Sequence, residues 1–303
     1  MAQLLNPFTR PGRWYRGVFH CHTTNSDGAR SLESATTWYA EQGYDVVAIT
    51  DHNQVTPVRP PRAGQMLVIP GTEVDAGRTQ LGEAYHLVGI GLEEMIELPR
   101  DVASRQALAA QDVIGALRRA GAVVFVAHPY WSGLVAQDLL PLEGIAGIEV
   151  FNTNTEVDIG KGYSGVHWDD CLCRGKLLFG AANDDTHWRM SDYGRAWTMV
   201  RAETLTRQAV LEALAVGAFY ASTGAVLDDV AFDGAVVTVR VGAAGASEVR
   251  FICDRRWGYR VVAEGAPLTQ ATFSLRGRER YVRVEVTTPA GHRAWTNPLF
   301  LER

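Results

Sequence analysis

His20-x-His22 closes the first apolar run of the chain and begins a pattern. On an extended strand, side chains two residues apart share a face, so both imidazoles can reach one metal ion. Cys21, between them, then faces the other way and packs. Four more histidines stand at comparable places. His52 follows Ile49-Thr50-Asp51, His128 follows Val123–Ala127, and His187 follows Leu178–Ala182 and the pair Asp184-Asp185. His86 is different, because it opens an apolar run instead of ending one. Five of these six therefore lie just past the C-terminal ends of expected strands. Asp27, Asp51, Glu73 and Asp185 fall at the same level.

Imidazole and carboxylate donors together suit zinc, manganese or iron, each able to polarise a phosphoryl or carbonyl oxygen. A single strand-end histidine is more often a hydrogen-bonded structural residue, and His167 and His292 are read that way. Six histidines and four acids on one rim are better explained as a metal site. Asp51 is read as a carboxylate that orients a ligating imidazole. Asp184 is read the same way, or as a cap.

The elements that must position these residues come from the hydrophobic pattern. Short apolar runs at 17–20, 45–50, 66–70, 85–91, 122–127, 147–151, 177–181 and 197–200 read as strands. Several are nearly continuous, as strands covered on both faces should be. Helix patterns alternate with them. Ser31 caps one that runs to Gln42 before Gly43, Asp101 opens one that ends at Ala120, and Thr206 caps one closed by Gly217. Such alternation gives an α/β barrel or a doubly wound sheet over residues 1–224. From 225 to 303 only strands are expected, at 236–241, 248–253, 259–263, 271–275, 281–287 and 294–301, forming a small β-sandwich domain. Tyr281–Val286 alternates cleanly and reads as a half-exposed antiparallel strand. The proline-rich stretch 54–65 reads as a surface loop.

Bulk composition narrows the class. The 303 residues are 47% hydrophobic and 21% charged, with a formal net charge of −5. No basic surplus exists for a nucleic-acid polymer or an acidic membrane surface. No apolar run approaches a membrane span, and the first residues show no leader pattern, so the expectation is a cytoplasmic protein. The four cysteines, with Cys171-x-Cys173 too tight for a zinc knuckle, read as free thiols in a reducing compartment.

Six segments together carry a resemblance. They are Phe19-His-Cys-His-Thr-Thr-Asn-Ser-Asp-Gly28, Ile49-Thr-Asp-His-Asn53, Pro70-Gly-Thr-Glu73, Ala127-His-Pro129, Glu149-Val-Phe-Asn152 and Asp184-Asp-Thr-His187. In this order, over residues 15–225, the chain resembles the polymerase-and-histidinol-phosphatase (PHP) family of metal-dependent phosphoesterases, and its tail resembles the β-rich module of one branch. The resemblance implies a distorted seven-stranded (β/α) barrel with two to three divalent ions. It implies one ion on His20, His22 and Asp185. A second lies on Glu73, which bridges, with His86 and His128. A third lies on Asp27, His52 and His187. Where many trinuclear members have His, this chain has Asp27, a harder donor that favours manganese over zinc.

The implied chemistry is hydrolysis of a small phosphate ester, a nucleotide among the candidates, by a metal-bridging hydroxide, with His20, His22, Glu73, Asp185 and His187 as the catalytic set. Asn152 and Arg195 are candidates for holding substrate or supporting a ligand. Two other classes stand beside this. A metallohydrolase of the same fold would cut carboxylic or carbamic esters or amides. A non-catalytic binding protein would use the tail as its working part and the barrel as a scaffold. In a hydrolase the tail reads as a packing module, or as a lid or substrate-selecting wall with Trp257, Tyr259 and Trp295 as contact residues. The partner expected is a small molecule, and the oligomeric state is left open.

Overall fold

A computed structural model of the chain describes residues 6–59 and 64–301. Strand β1 (Arg13–Val18) leads through helix α1 (Leu32–Glu41) to β2 (Val46–Ile49), β3 (Leu67–Ala76) and β4 (Tyr85–Ile90). Helices α2 (Val102–Gln106) and α3 (Ala110–Arg119) precede β5 (Val123–Val126). Then follow α4 (Ala136–Leu139), β6 (Gly147–Asn152), α5 (Thr153–Ile159), α6 (Gly165–Cys173), β7 (Phe179–Asn183), β8 (Trp197–Ala202), α7 (Arg207–Ala215) and β9 (Phe219–Ser222). The tail holds β10 (Leu227–Phe232), β11 (Val236–Val241), β12 (Glu248–Cys253), β13 (Gly258–Val262), β14 (Gln270–Ser274), β15 (Tyr281–Thr287), β16 (Arg293–Thr296) and β17 (Leu299–Phe300).

Local chemistry sets the helix starts. Ser31 Oγ accepts from Ser34 N, Thr206 Oγ1 from Ala209 N, and Asp101 Oδ1 from Ser104 N. The helix expected from Asp101 to Ala120 is two helices. Arg105 turns inward there, its guanidinium binds Asp75 and the carbonyls of Pro99 and Arg100, and its own carbonyl accepts from Gly77 N. That tertiary contact overrides a continuous helical pattern. Helices α4, α5 and α6 and strands β9 and β10 were not legible as separate elements. Of the loop at 54–65, residues 60–63 lie outside the described residues, and the rest has no regular structure.

The sheet places the site. Strands β1, β2 and β3 pair in parallel, as do β5, β6 and β7. Between these sets β4 runs antiparallel to both neighbours. The C-terminal ends of six strands therefore share one rim with the N-terminal end of β4. His86, near the start of β4, reaches that rim for this reason. Strand β8 flanks β1 on the other side, antiparallel. The β7 edge is bridged by side chains: Thr198 Oγ1 bonds both backbone groups of Ala182, and Asn297 Oδ1 accepts from Gly180 N. The result is a mixed α/β sheet with four parallel ladders.

The tail continues that sheet. Strand β16 pairs with β9, placing Trp295 opposite Ala221, so the ladder crosses the expected boundary at 224/225. A second sheet, β10-β11-β14, packs over it around Val237, Val239, Val249, Phe251, Phe273 and Val284. The half-exposed reading of Tyr281–Val286 is corrected. Strand β15 is buried on both faces, because Arg283 and Glu285 turn towards α6 and meet Asp169 and Tyr163. Among the described residues no helix is long and apolar enough to cross a membrane. All four cysteines are unpaired, with Cys21 buried beside Tyr39 and Ile49.

Candidate metal centre

The segment after β1 is stitched into place before any ligand is considered. Phe19 N donates to Asn183 Oδ1 at 2.7 Å, Cys21 N to Thr50 Oγ1 at 3.0 Å, and His22 N to Thr186 O at 3.0 Å. This extended backbone points His20 and His22 to one side, with ring centroids 5.1 Å apart. Both are wholly buried.

Glu73, mid-way along β3, is the hub. Its Oε2 lies 3.0 Å from His20 Nε2, 3.2 Å from His22 Nε2 and 3.3 Å from His52 Nδ1. Its Oε1 lies 2.7 Å from His86 Nδ1 and 3.3 Å from His128 Nε2. Asp185 Oδ1 lies 3.1 Å from His20 and 3.0 Å from His22. Asp27 Oδ2 lies 3.3 Å from His187 Nε2, and its Oδ1 is 3.8 Å from both His22 Nδ1 and His52 Nε2. All nine expected donors thus gather into three groups: His20, His22, Glu73 and Asp185; Glu73, His86 and His128; His22, Asp27, His52 and His187. Glu73 is common to two of them. His22 also joins two, through its two ring nitrogens, which the sequence did not suggest.

The donor set suits divalent cations. Buried His22 Nδ1 has no hydrogen-bond partner, and such a group calls for an explanation. Burial alone pushes His20 and His22 down, but Asp185, Glu73 and, at His20, Glu149 outweigh it. His20 is held well above the ordinary value and His22 rises to about 9. His86 is likewise raised by Glu73 against its burial. Burial tends to raise Glu73, Asp185 and Asp27, yet the imidazoles hold all three below the ordinary carboxylate range. The cluster demands positive charge among its carboxylates, and divalent ions supply it. Backbone strain gathers at the same place: Asn53, His128, Asp185 and Trp188 have φ of 55°, 28°, 53° and 63°, a region L-residues seldom enter.

Supporting groups were partly missed. Glu149, in the middle of an apolar strand, has a buried carboxylate. Its Oε1 meets His20 Nδ1 at 2.9 Å and Asn183 Nδ2 at 3.1 Å, and its Oε2 accepts from His128 N and Asn152 Nδ2. A lone acid inside an apolar run was the available signal. Ser132 Oγ pairs with His128 Nδ1 at 2.9 Å. Asn152 donates to Asp185 Oδ2 at 3.1 Å, so it touches a donor of the cluster. Asp51 touches no histidine. It accepts from Thr23 and Ser26 at 2.6–2.8 Å and from Thr56, tying down the loop that carries Asp27. Asp184 accepts from Gly194, Arg195 and Ala196 N, from Tyr39 and from Thr153. Arg195 stands apart, lining a groove to which none of the nine donors contributes. Trp295 is fully buried between Phe151 and Tyr163.

No family model matches the chain. A two-domain protein from Bacteroides vulgatus, containing a predicted PHP-like metal-dependent phosphoesterase, superposes with a TM-score of 0.53 at 18% identity, covering 99% of this chain and 100% of that one. An amidohydrolase from Chromobacterium violaceum covers 59% of this chain and 89% of its own at 16% identity, but its TM-score of 0.41 is too low to bear on the reading. Over 79 residues, 25% of this chain, the phosphoribosyl 1,2-cyclic phosphate 1,2-diphosphodiesterase of Eggerthella lenta is 33% identical; the match spans 30% of that protein. The chain has the fold of a PHP-like metal-dependent phosphoesterase joined to a β-rich region.

Proposed function

We propose that this chain is a metal-dependent phosphoric ester hydrolase acting on a small phosphate ester. The observation that carries the reading is Glu73, a buried carboxylate within 3.3 Å of five imidazoles and in the same cluster as Asp185. We read β1–β7 as a distorted seven-stranded (β/α) barrel, with the rim where six C-terminal strand ends meet the start of β4 serving as the active face. His20, His22, Glu73 and Asp185 would hold one ion, Glu73, His86 and His128 a second, and Asp27, His52 and His187 a third.

Zinc, manganese or iron bound there supplies Lewis acidity towards a phosphoryl oxygen and makes water acidic enough to ionise near neutral pH. The chain's own residues do the positioning. Glu149 and Ser132 engage Nδ1 of His20 and His128, which leaves Nε2 of each facing the centre. Asn152 restrains Asp185. Trp131 stands edge-on to His86 and His128 and lines the cavity beside them. A cavity of about 570 Å³ beside His52 and His86 is of small-molecule size. Its one guanidinium, Arg105, is committed to Asp75.

Elemental analysis combined with a panel of p-nitrophenyl phosphate, bis(p-nitrophenyl) phosphate and p-nitrophenyl acetate, under Zn²⁺, Mn²⁺ and Fe²⁺, tests this. Bound divalent ions and phosphate-ester hydrolysis that Glu73→Gln abolishes are expected. Metal-free protein that no ion activates, or activity on the acetate alone, overturns the proposal.

A further inference from the structure

A groove of about 680 Å³ runs where the strand wall meets the tail. Arg16, Arg195 and Arg293 line it against one acid, Glu156, in a chain whose net charge is −5. Glu156 is partly occupied, since its Oε2 accepts from Gly162 N at 3.0 Å. Arg16 is held over the rings of Trp197 and Tyr44 at 3.7 and 3.9 Å. Neither Arg195 nor Arg293 has a carboxylate partner among the described residues. Both extend from fixed backbone. Arg195 N donates to Asp184 Oδ1 at 3.0 Å, and Arg293 N donates to Thr223 Oγ1 at 2.8 Å. Phe151, Tyr163, Trp197 and Trp295 give the groove an aromatic wall, and the Arg293 guanidinium lies over the Tyr163 ring, 5.6 Å from its centre. Trp295, in the same wall, has a buried indole N–H with no acceptor.

We propose that this groove is a second ligand site, taking a planar ring compound that carries an anionic group. Two guanidinium forks without a carboxylate partner match a phosphate, sulfonate or carboxylate. The aromatic wall suits a flat apolar body, and the volume lies in the small-molecule range. One arginine comes from the loop before β8 and the other from β16, so the ligand reads both parts of the chain. The assignment stands apart from the hydrolase reading, because its test measures binding.

The probe is naphthalene-2-sulfonate with the full-length protein, followed by calorimetry and by quenching of tryptophan fluorescence. Saturable 1:1 binding is expected. The neutral analogue 2-naphthalenemethanol should bind at least tenfold more weakly. Arg195→Ala/Arg293→Ala should also weaken the sulfonate at least tenfold, with an unchanged melting temperature. Arg195→Ala alone, at an exposed side chain, should weaken it severalfold and guards against misfolding of the double variant. No binding to the wild type at millimolar probe, equal binding of the neutral analogue, or undiminished binding by the variants overturns the proposal.

Discussion

Nδ1 of His20 lies 2.9 Å from Oε1 of Glu149, and both side chains are buried. That contact turns Nε2 towards Glu73 and Asp185. Glu149→Gln keeps the shape and loses the charge. It should weaken metal binding about 10–100-fold, the usual range for a carboxylate behind a ligating histidine. Competition with a graded chelator measures this, and saturating metal should restore most of the activity. Unchanged affinity would remove Glu149 from the centre.

The three groups differ in exposure. Side chains of His20, His22, Glu73, His128 and Asp185 are 0–3% exposed and that of His86 is 20%, while His52, His187 and Asp27 are 27%, 15% and 43% exposed. The ion at Asp27 should therefore leave first as chelator rises. Asp27→Ala should lower the bound metal by one ion per chain and leave the others in place. Gly28→Ala should act on the same ion, because a Cβ there would lie 2.7 Å from the carbonyl carbon and oxygen of His22. Plasma mass spectrometry of the purified variants counts the ions. Loss of every ion in Asp27→Ala would mean that the groups are not separable.

The donors were legible because metal ligands are chemically distinctive and sit at strand ends, where period-two patterning is readable. His86 shows where that logic needed topology: only an antiparallel β4 brings its first residues to the common rim. Glu149 left only the signal of a lone acid in an apolar run and Ser132 left none, since a carboxylate or hydroxyl acting through a histidine has no spacing of its own. Arg283 and Glu285 misled for a different reason. Their alternation with valines is what a solvent-facing strand shows, and only the partner Asp169 on α6 reveals that this face is covered. Long-range pairing of this kind leaves no local trace.

Asn297 ties the tail to the strand wall. Its Oδ1 accepts from Gly180 N at 2.9 Å, and its Nδ2 donates to Gly217 O and Phe219 O at 3.1 and 3.0 Å. Asn297→Ala should cost about 2–3 kcal/mol, because buried backbone groups lose their partners. Urea denaturation reads the loss. Removal of residues 225–303 should give insoluble or unfolded protein, since it also exposes the β9 edge that β16 covers. A soluble, active truncated chain would return the tail to the role of a detachable lid.

Glu285 links pH to stability. Burial alone would raise its carboxyl, but Arg283 Nη1 at 2.7 Å, with the Tyr163 hydroxyl at 2.7 Å, outweighs this and holds it below the ordinary value. A carboxyl depressed in the folded state takes up protons more readily when unfolded. Its stabilisation is thus complete above the unfolded value, about 4.3, and fades as pH falls through the lower folded value. Glu285→Gln should be less stable than the wild type at pH 7, and the gap should narrow between pH 4.5 and the acid limit of folding. Urea midpoints for both proteins at pH 7, 5, 4 and 3.5 would show it. A gap constant across this range would mean that Glu285 acts by packing and hydrogen bonding alone, with its charge contributing nothing to the junction between α6 and β15.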